Sequence, residues 1–169
     1  MDAGVLLARA VFGVLMAAHG SQKLFGWFGG YGLAGTGQFF DGLGFRPGRF
    51  FAALASLSEV VGGLLVALGL FGPVGPALML AVMIVAAISV HWPHGVFSAS
   101  NGIEVPLLYA TGAAALALTG PGRYSVDGLL GLTPLWTPAV TWTGLFIGIV
   151  GGLANLALRR APERQAVVA

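Results

Sequence analysis

The apolar run from Phe50 to Phe71 contains a single charged residue, Glu59, near its centre. A helix of this length is about 30 Å long, which matches the hydrocarbon core of a bilayer. A charge at the middle of such a helix costs ~2.5–3.5 kcal/mol on insertion scales. The run therefore predicts a membrane-spanning helix whose carboxyl group must be satisfied or used by another part of the fold.

The composition excludes a soluble globular domain. Of the 169 residues, 57% are hydrophobic and 8% are charged, whereas a soluble domain carries about 25% charged residues. The eight Lys and Arg residues are scattered, so no nucleic-acid-binding surface is predicted. The sequence has no cysteine, which excludes a disulfide, a thiolate metal site and thiol redox chemistry within the chain.

Hydropathy predicts an all-α membrane protein with five spans. The predicted spans are 4–21, 50–71, 75–92, 104–119 and 138–158. We expect a four-helix transmembrane bundle within 1–131, an additional transmembrane helix within 132–158 and a short tail at 159–169. The first span lacks a basic leading region and contains Arg9, so it is predicted to be a retained helix and not a signal peptide.

The segment 24–49 is rich in glycine and aromatic residues, which suits the membrane interface or a re-entrant cap. Within it, Thr36–Leu43 is predicted as a short helix with Thr36 as N-cap. With five spans, six basic residues fall on one side and Arg123 alone on the other. The six are Lys23, Arg46, Arg49, Arg159, Arg160 and Arg164. The positive-inside rule then predicts a multi-pass protein of the cell membrane with a cytoplasmic C-terminus.

Three basic residues share one face of the first predicted helix. Arg9, His19 and Lys23 are separated by helical steps, with Phe12 and Met16 between them on the same face. Such a face is not expected to point at lipid. Lys23 is explained either by snorkelling to the interface or by a site, and His19 either by a hydrogen bond to a neighbouring helix or by a site.

Glu59 shares a helix face with Ser56, and Gly62 and Gly63 follow it directly. Small residues at these positions allow another helix to approach closely. Two interpretations of the carboxyl group stay open. It forms an ion pair with Arg9 that joins two helices, or it accepts protons or binds a ligand.

Three further features are less specific. Glu104 opens the fourth predicted span, where it either complements the helix dipole or faces inward toward His91 or His94. No metal site is predicted at the two histidines, because a full ligand set is not recognisable. Closely spaced glycines in the last span predict tight helix packing within the chain or in a homo-oligomer. These glycines are Gly144, Gly148 and Gly152.

Four stretches of the chain resemble the DoxX family of small membrane proteins. They are HGSQKLFGWFGGYGL (19–33), FRPGRFFAALASLSEVVGGLLVALGLFGP (45–73), HWPHGVFSASNGIEVPLLYA (91–110) and LTGPGRYSVDGLLG (118–131). The resemblance implies a four-helix core, from which the span 138–158 departs. It places the family's motif positions on His19 and Lys23, on Glu59 and on Glu104.

The resemblance also implies a redox association. Related proteins form the small membrane subunit of thiosulfate:quinone oxidoreductases, and one is described as a membrane partner of superoxide dismutase and a sulfurtransferase-like protein. We therefore expect a subunit of an oxidoreductase, thiol-homeostasis or oxidative-stress assembly, with a quinone or a small anion in an intramembrane pocket. The predicted pocket residues are Arg9, His19, Lys23, Glu59 and Glu104. The alternatives are a small proton-coupled transporter or channel subunit, and a scaffold without chemistry. Whether the chain is itself an enzyme stays open.

Overall fold

The computed structural model describes residues 2–160, and over that range it is helical without strands. The α-helices are α1 (Asp2–Phe25), α2 (Gly32–Gly42), α3 (Gly48–Leu68), α4 (Val74–Ala86), α5 (Glu104–Thr119), α6 (Val126–Leu129) and α7 (Pro138–Ala157). A π-helical turn, Ala87–His91, and a 3-10 turn, Trp92–His94, extend α4. The all-α prediction is confirmed. Arg164 and most of the predicted tail lie outside the described residues.

Within residues 2–160, four helical segments are long and apolar enough to cross a membrane: α1, α3, α4 with its extension to His94, and α7. The protein is therefore a multi-pass membrane protein. Helix α5 is apolar but has only 16 residues, about 24 Å of helix, which is shorter than a typical span. The fifth crossing stays a prediction.

Glycines bring α1 and α3 into backbone contact. A Cβ atom on Gly13 would lie 2.5 Å from the carbonyl oxygen of Gly63, and one on Gly20 would lie 2.7 Å from that of Ser56. Contacts this short leave room only for glycine. The residue number falls along α3 as it rises along α1, so the two helices are antiparallel. This packing confirms the predicted close approach beside Glu59.

The glycines of α7 pack within the chain. Gly144 faces Pro73, Gly148 faces Ala77 and Gly152 faces Ala81, with Cβ positions 2.6–3.0 Å from the nearest atoms of α4 and of Pro73 just before it. Residue numbers rise in the same direction along both helices, so α7 runs parallel to α4. Of the two predicted uses of these glycines, the structure shows the one inside the chain. A homo-oligomer would need another surface.

Hydrogen bonds fix which segments meet at each end of the bundle. At one end, the backbone N–H of Arg123 donates to Asp2 Oδ1 (3.1 Å), beside the α3–α4 turn. At the other, the backbone N–H of Arg160 donates to the carbonyl of Gly44 (2.9 Å). We call these the Asp127 end and the Lys23 end, after the residues described below. An apolar core that contains Met16, Val66 and Met79 separates them.

The Gly/aromatic segment differs from its prediction in detail. Helix α2 begins at Gly32 and not at Thr36, and its N-cap residue is Tyr31. Thr36 lies inside the helix, where its hydroxyl donates to the carbonyl of Lys23 (3.2 Å). That bond joins α2 to the end of α1, which explains why Thr36 is buried and does not cap. Trp27, Phe28 and Tyr31 are exposed, and their place at a membrane interface stays a prediction.

The glycine packing of α7 predicts opposite effects for two alanine substitutions in one helix. Gly148→Ala should destabilise the protein by about 1–3 kcal/mol, because its Cβ would lie 2.6 Å from the Ala77 carbonyl oxygen. Gly151→Ala is the matched control, since no atom lies within 4 Å of its Cβ position. It should be neutral or stabilising, because alanine favours helix by about 1 kcal/mol. Thermal unfolding in detergent measures both; equal effects would contradict the packing.

The topology can be tested because the chain has no cysteine of its own. Single cysteines at exposed Ala99, between α4 and α5, and at exposed Thr133, between α5 and α7, report the two ends of the bundle. We expect a membrane-impermeant maleimide to label them from opposite sides of oriented membranes, with Ala99 on the cytoplasmic side. Labelling from the same side would show that α5 does not cross.

Candidate functional site

The site centres on an ion pair between α1 and α3. The ammonium of Lys23 donates to Glu59 Oε1 at 2.5 Å. The Glu59 side chain is 1% exposed, whereas that of Lys23 is 33% exposed. Lys23 therefore reaches from the surface to a carboxyl group that has lost almost all contact with solvent or lipid. The structure corrects the interpretation that paired Glu59 with Arg9. The partner is Lys23, which lies on the same basic face of α1.

The local sequence explains this pairing. Gly20 touches the backbone of α3 at Ser56 and Val60, and Lys23 follows Gly20 by one helical turn on the same face. Contact at Gly20 thus sets the height at which the long Lys23 side chain meets α3. Arg9 lies fourteen residues earlier on the same helix, about 21 Å away along the axis, so it is out of reach of Glu59.

One oxygen of the buried carboxyl group has no partner within residues 2–160. Glu59 Oε2 is buried without a hydrogen bond. Ser56, on the same face, donates instead to the carbonyl of Ala52 at 2.6 Å, so it does not serve Glu59. A buried polar atom left unsatisfied is costly, and such atoms concentrate at functional sites. Glu59 Oε2 therefore has unused capacity to accept a hydrogen bond, and the Lys23 ammonium has N–H groups left to donate.

Lys23 also lines a large groove at the Lys23 end of the bundle. The groove has a volume of about 900 Å³ and is bounded by α2, α3, α4 and α7. Its walls are mostly apolar. Besides Lys23 and Tyr31, the polar side chains in the lining are Thr36, Gln38, Ser58, Ser89, His91 and Asn155. The π-helical turn at the end of α4 contributes Ser89 and His91. Such turns often occur at functional sites.

His19 lies outside this groove. Its exposed ring packs edge-on against Tyr109 of α5, with ring centroids 6.1 Å apart. Tyr109 is in turn close enough to Glu59 for their charges to interact. His19 thus does not line the groove, and its ring contact with Tyr109 brings it near the surroundings of Glu59.

Arg9 belongs to a separate site at the Asp127 end. It is 3% exposed, and its Nη2 donates to the carbonyl of Tyr124 at 2.5 Å. The single pocket predicted from the sequence is therefore split in two. Met16, which is fully buried, lies on the same helix face between Arg9 and His19.

Glu104 does not join the pocket either. Its Oε2 accepts the backbone N–H of Ser98 at 2.7 Å, and this bond holds the pKa of the carboxyl group below its usual value. Glu104 thus closes the loop before α5 and does not face inward. His91 Nδ1 contacts the carbonyl of Asn101 and His94 Nδ1 that of Val90. Across residues 2–160, no three His, Cys, Asp or Glu side chains lie together as metal ligands.

Asp127 was missed by the sequence analysis. This fully buried carboxylate accepts three hydrogen bonds, from the backbone N–H groups of Phe71 and Gly72 and from the indole of Trp136, at 2.7–3.0 Å. It ties the loop between α5 and α7 to the α3–α4 turn. The available signal was Ser125, a good N-cap residue two positions earlier, whose hydroxyl accepts from Gly128 N–H.

Comparison with known proteins agrees with this architecture. The DoxX family model matches residues 4–92, which cover α1 to α4 and contain Arg9, His19, Lys23 and Glu59. The chain belongs to the DoxX family. It is also 33% identical, over 129 residues, to the "Inner membrane protein YqjF" of Escherichia coli K12, an overlap of 76% of this chain and 93% of that protein. No solved structure matches the chain. Glu104 and α7 lie outside the family match.

The ion pair predicts strong coupling between its two members. Lys23→Met should destabilise the protein by about 3–5 kcal/mol, because it leaves the Glu59 carboxyl group buried without its partner. The double variant Lys23→Met/Glu59→Leu should recover part of that loss, since no buried charge remains. Unfolding of the native protein, Lys23→Met, Glu59→Leu and the double variant in one detergent gives the coupling energy. Additive effects would show that the two side chains do not interact.

Proposed function

We propose that this DoxX protein is the membrane subunit of an oxidoreductase, thiol-homeostasis or oxidative-stress assembly, and that it binds a quinone in the groove beside Lys23. One observation carries the proposal. Lys23, in the wall of a 900 Å³ groove, is paired with a buried carboxyl group that keeps one oxygen free. The redox assembly itself comes from the family resemblance.

The shape and lining of the groove fit an amphipathic ligand. Sites for small molecules usually enclose about 300–1,000 Å³, are mostly apolar and carry a few polar groups that orient the ligand. Aromatic and aliphatic side chains such as Phe39, Phe51 and Leu54 suit an isoprenoid tail. The polar side chains of the lining, Lys23 among them, would contact the head group.

The charge of the site favours a neutral head group over an anion. The positive charge of Lys23 is already compensated by Glu59 at 2.5 Å. An anion such as thiosulfate would find no net positive charge there and would lie near a carboxylate. A quinone carbonyl needs only a hydrogen-bond donor, which the spare N–H groups of Lys23 provide.

The two residues would divide the work at the head group. A bound quinone supplies the capacity to accept and return electrons and protons. Lys23 would hold the carbonyl oxygen and fix the ligand's orientation. Glu59, buried behind Lys23, would keep the ammonium in place. The chain has no cysteine, so any persulfide would belong to a partner enzyme.

Binding of menaquinone to the purified protein in lipid nanodiscs tests the proposal. Lys23→Met should weaken binding at least tenfold, and Leu54→Trp should block the groove. Leu57→Trp is the matched control, because Leu57 lies one turn away on α3, has similar exposure and does not line the groove. Equal binding by the Leu54→Trp and Leu57→Trp variants would place any bound quinone outside the groove.

Three outcomes would favour the alternatives. Thiosulfate binding that strengthens in Glu59→Gln, where Lys23 is uncompensated, would point to an anion site. Proton-coupled flux in proteoliposomes, lost in Glu59→Gln and without quinone binding, would indicate a transporter. A Glu59→Leu variant that keeps the fold and the cellular phenotype would support a scaffold.

A further inference from the structure

Arg9 is a buried cation with unused hydrogen-bonding capacity. Its side chain is 3% exposed, and only Nη2 is hydrogen-bonded, to the carbonyl of Tyr124. Within the described residues, Nε and Nη1 are buried without a partner. Two unsatisfied N–H donors on a guanidinium group in an apolar bundle carry a large desolvation cost. A hydrogen-bond acceptor beside one of these N–H groups would remove part of that desolvation cost.

Arg9 lines a cavity of about 20 Å³ at the Asp127 end of the bundle. Its walls include Arg9, Gly69, Trp136 and Thr141, with Leu116 and Ala117 on the α5 side. Gly69 makes room for the guanidinium group, because a Cβ atom there would overlap Arg9 Nη1. A cavity needs about 10–15 Å³ to hold one water molecule. The space is therefore sized for one small acceptor.

The surrounding charges decide between a neutral acceptor and an anion. Asp127, which is fully buried, is close enough for its negative charge to attract Arg9. Helices α1, α4 and α7 begin at this end, whereas α3 and α5 end here, so most of their terminal partial charges cancel. The cluster is already balanced. An added anion would leave a net negative charge in a region of low dielectric constant.

We propose that this cavity binds one ordered water molecule, which accepts a hydrogen bond from a free N–H group of Arg9. Its own protons are donated to oxygen atoms around the cavity, among which the Thr141 hydroxyl is a candidate. The water thereby links α1 to α7 and to the loop that carries Asp127. It closes the end of the bundle opposite the groove, and it is independent of the quinone proposal.

Solid-state NMR of the full-length protein in lipid bilayers tests the site. With 15N-labelled arginine, Arg9→Met assigns the Arg9 side-chain signals by their loss. We expect magnetisation transfer from a long-lived water to the guanidinium N–H groups of Arg9, whereas exposed Arg123 should exchange rapidly with bulk water. No transfer to Arg9 would overturn the proposal. So would a thermal stability that rises with chloride over gluconate in the native protein but not in Arg9→Gln.

A milder variant keeps the test independent of Arg9 itself. Ala117→Val should fill part of the cavity, abolish the water transfer to Arg9 and lower the thermal stability. Ala115→Val, on the exposed face of the same helix, should change neither. If the water signal survives in Ala117→Val and is lost in Ala115→Val, the water lies elsewhere and the assignment fails.

Discussion

Backbone contact between α1 and α3 is the constraint on which the rest of the structure depends. Gly13, Gly20 and Gly63 remove the side chains that would hold the two helices apart. In a membrane, where lipid is as apolar as leucine, helices associate through such close packing and not through the hydrophobic effect. The contact fixes the height of Lys23 against Glu59 and leaves Arg9 at the far end.

The two buried charges that result are satisfied in different ways. Glu59 has a side-chain partner of opposite sign within hydrogen-bonding distance, and the pair opens onto a groove. Arg9 has a backbone carbonyl as its direct partner and Asp127 only at longer range. The first arrangement leaves Lys23 facing a space large enough for a ligand, with Glu59 buried behind it. The second borders a cavity with room for about one water molecule, which suits a structural role.

Much of the fold could be predicted from the sequence, because in a membrane hydropathy and helix length dominate. The ranges of α5 and α7 were predicted to within one residue, and the glycine pairs correctly marked close contacts. The start of α2 was missed because a tertiary bond from Thr36 to Lys23 outweighed local capping preference. The predicted pocket included too many residues, because Arg9 and Lys23 share a helix face but lie about 21 Å apart along the helix.

Asp127 shows what a sequence cannot reveal about a loop. It lies in a polar, glycine-rich stretch where an acidic residue is ordinary, and nothing local marks it as buried. Its role depends on Phe71, Gly72 and Trp136, whose donors converge only after α5 has returned the chain to the α3–α4 turn. Glu59 was conspicuous for the opposite reason, since its neighbours in sequence are all apolar or small. A buried charged residue can be recognised from the sequence when its neighbours in the chain are apolar, as at Glu59. The burial of Asp127 results only from contacts made in the tertiary fold.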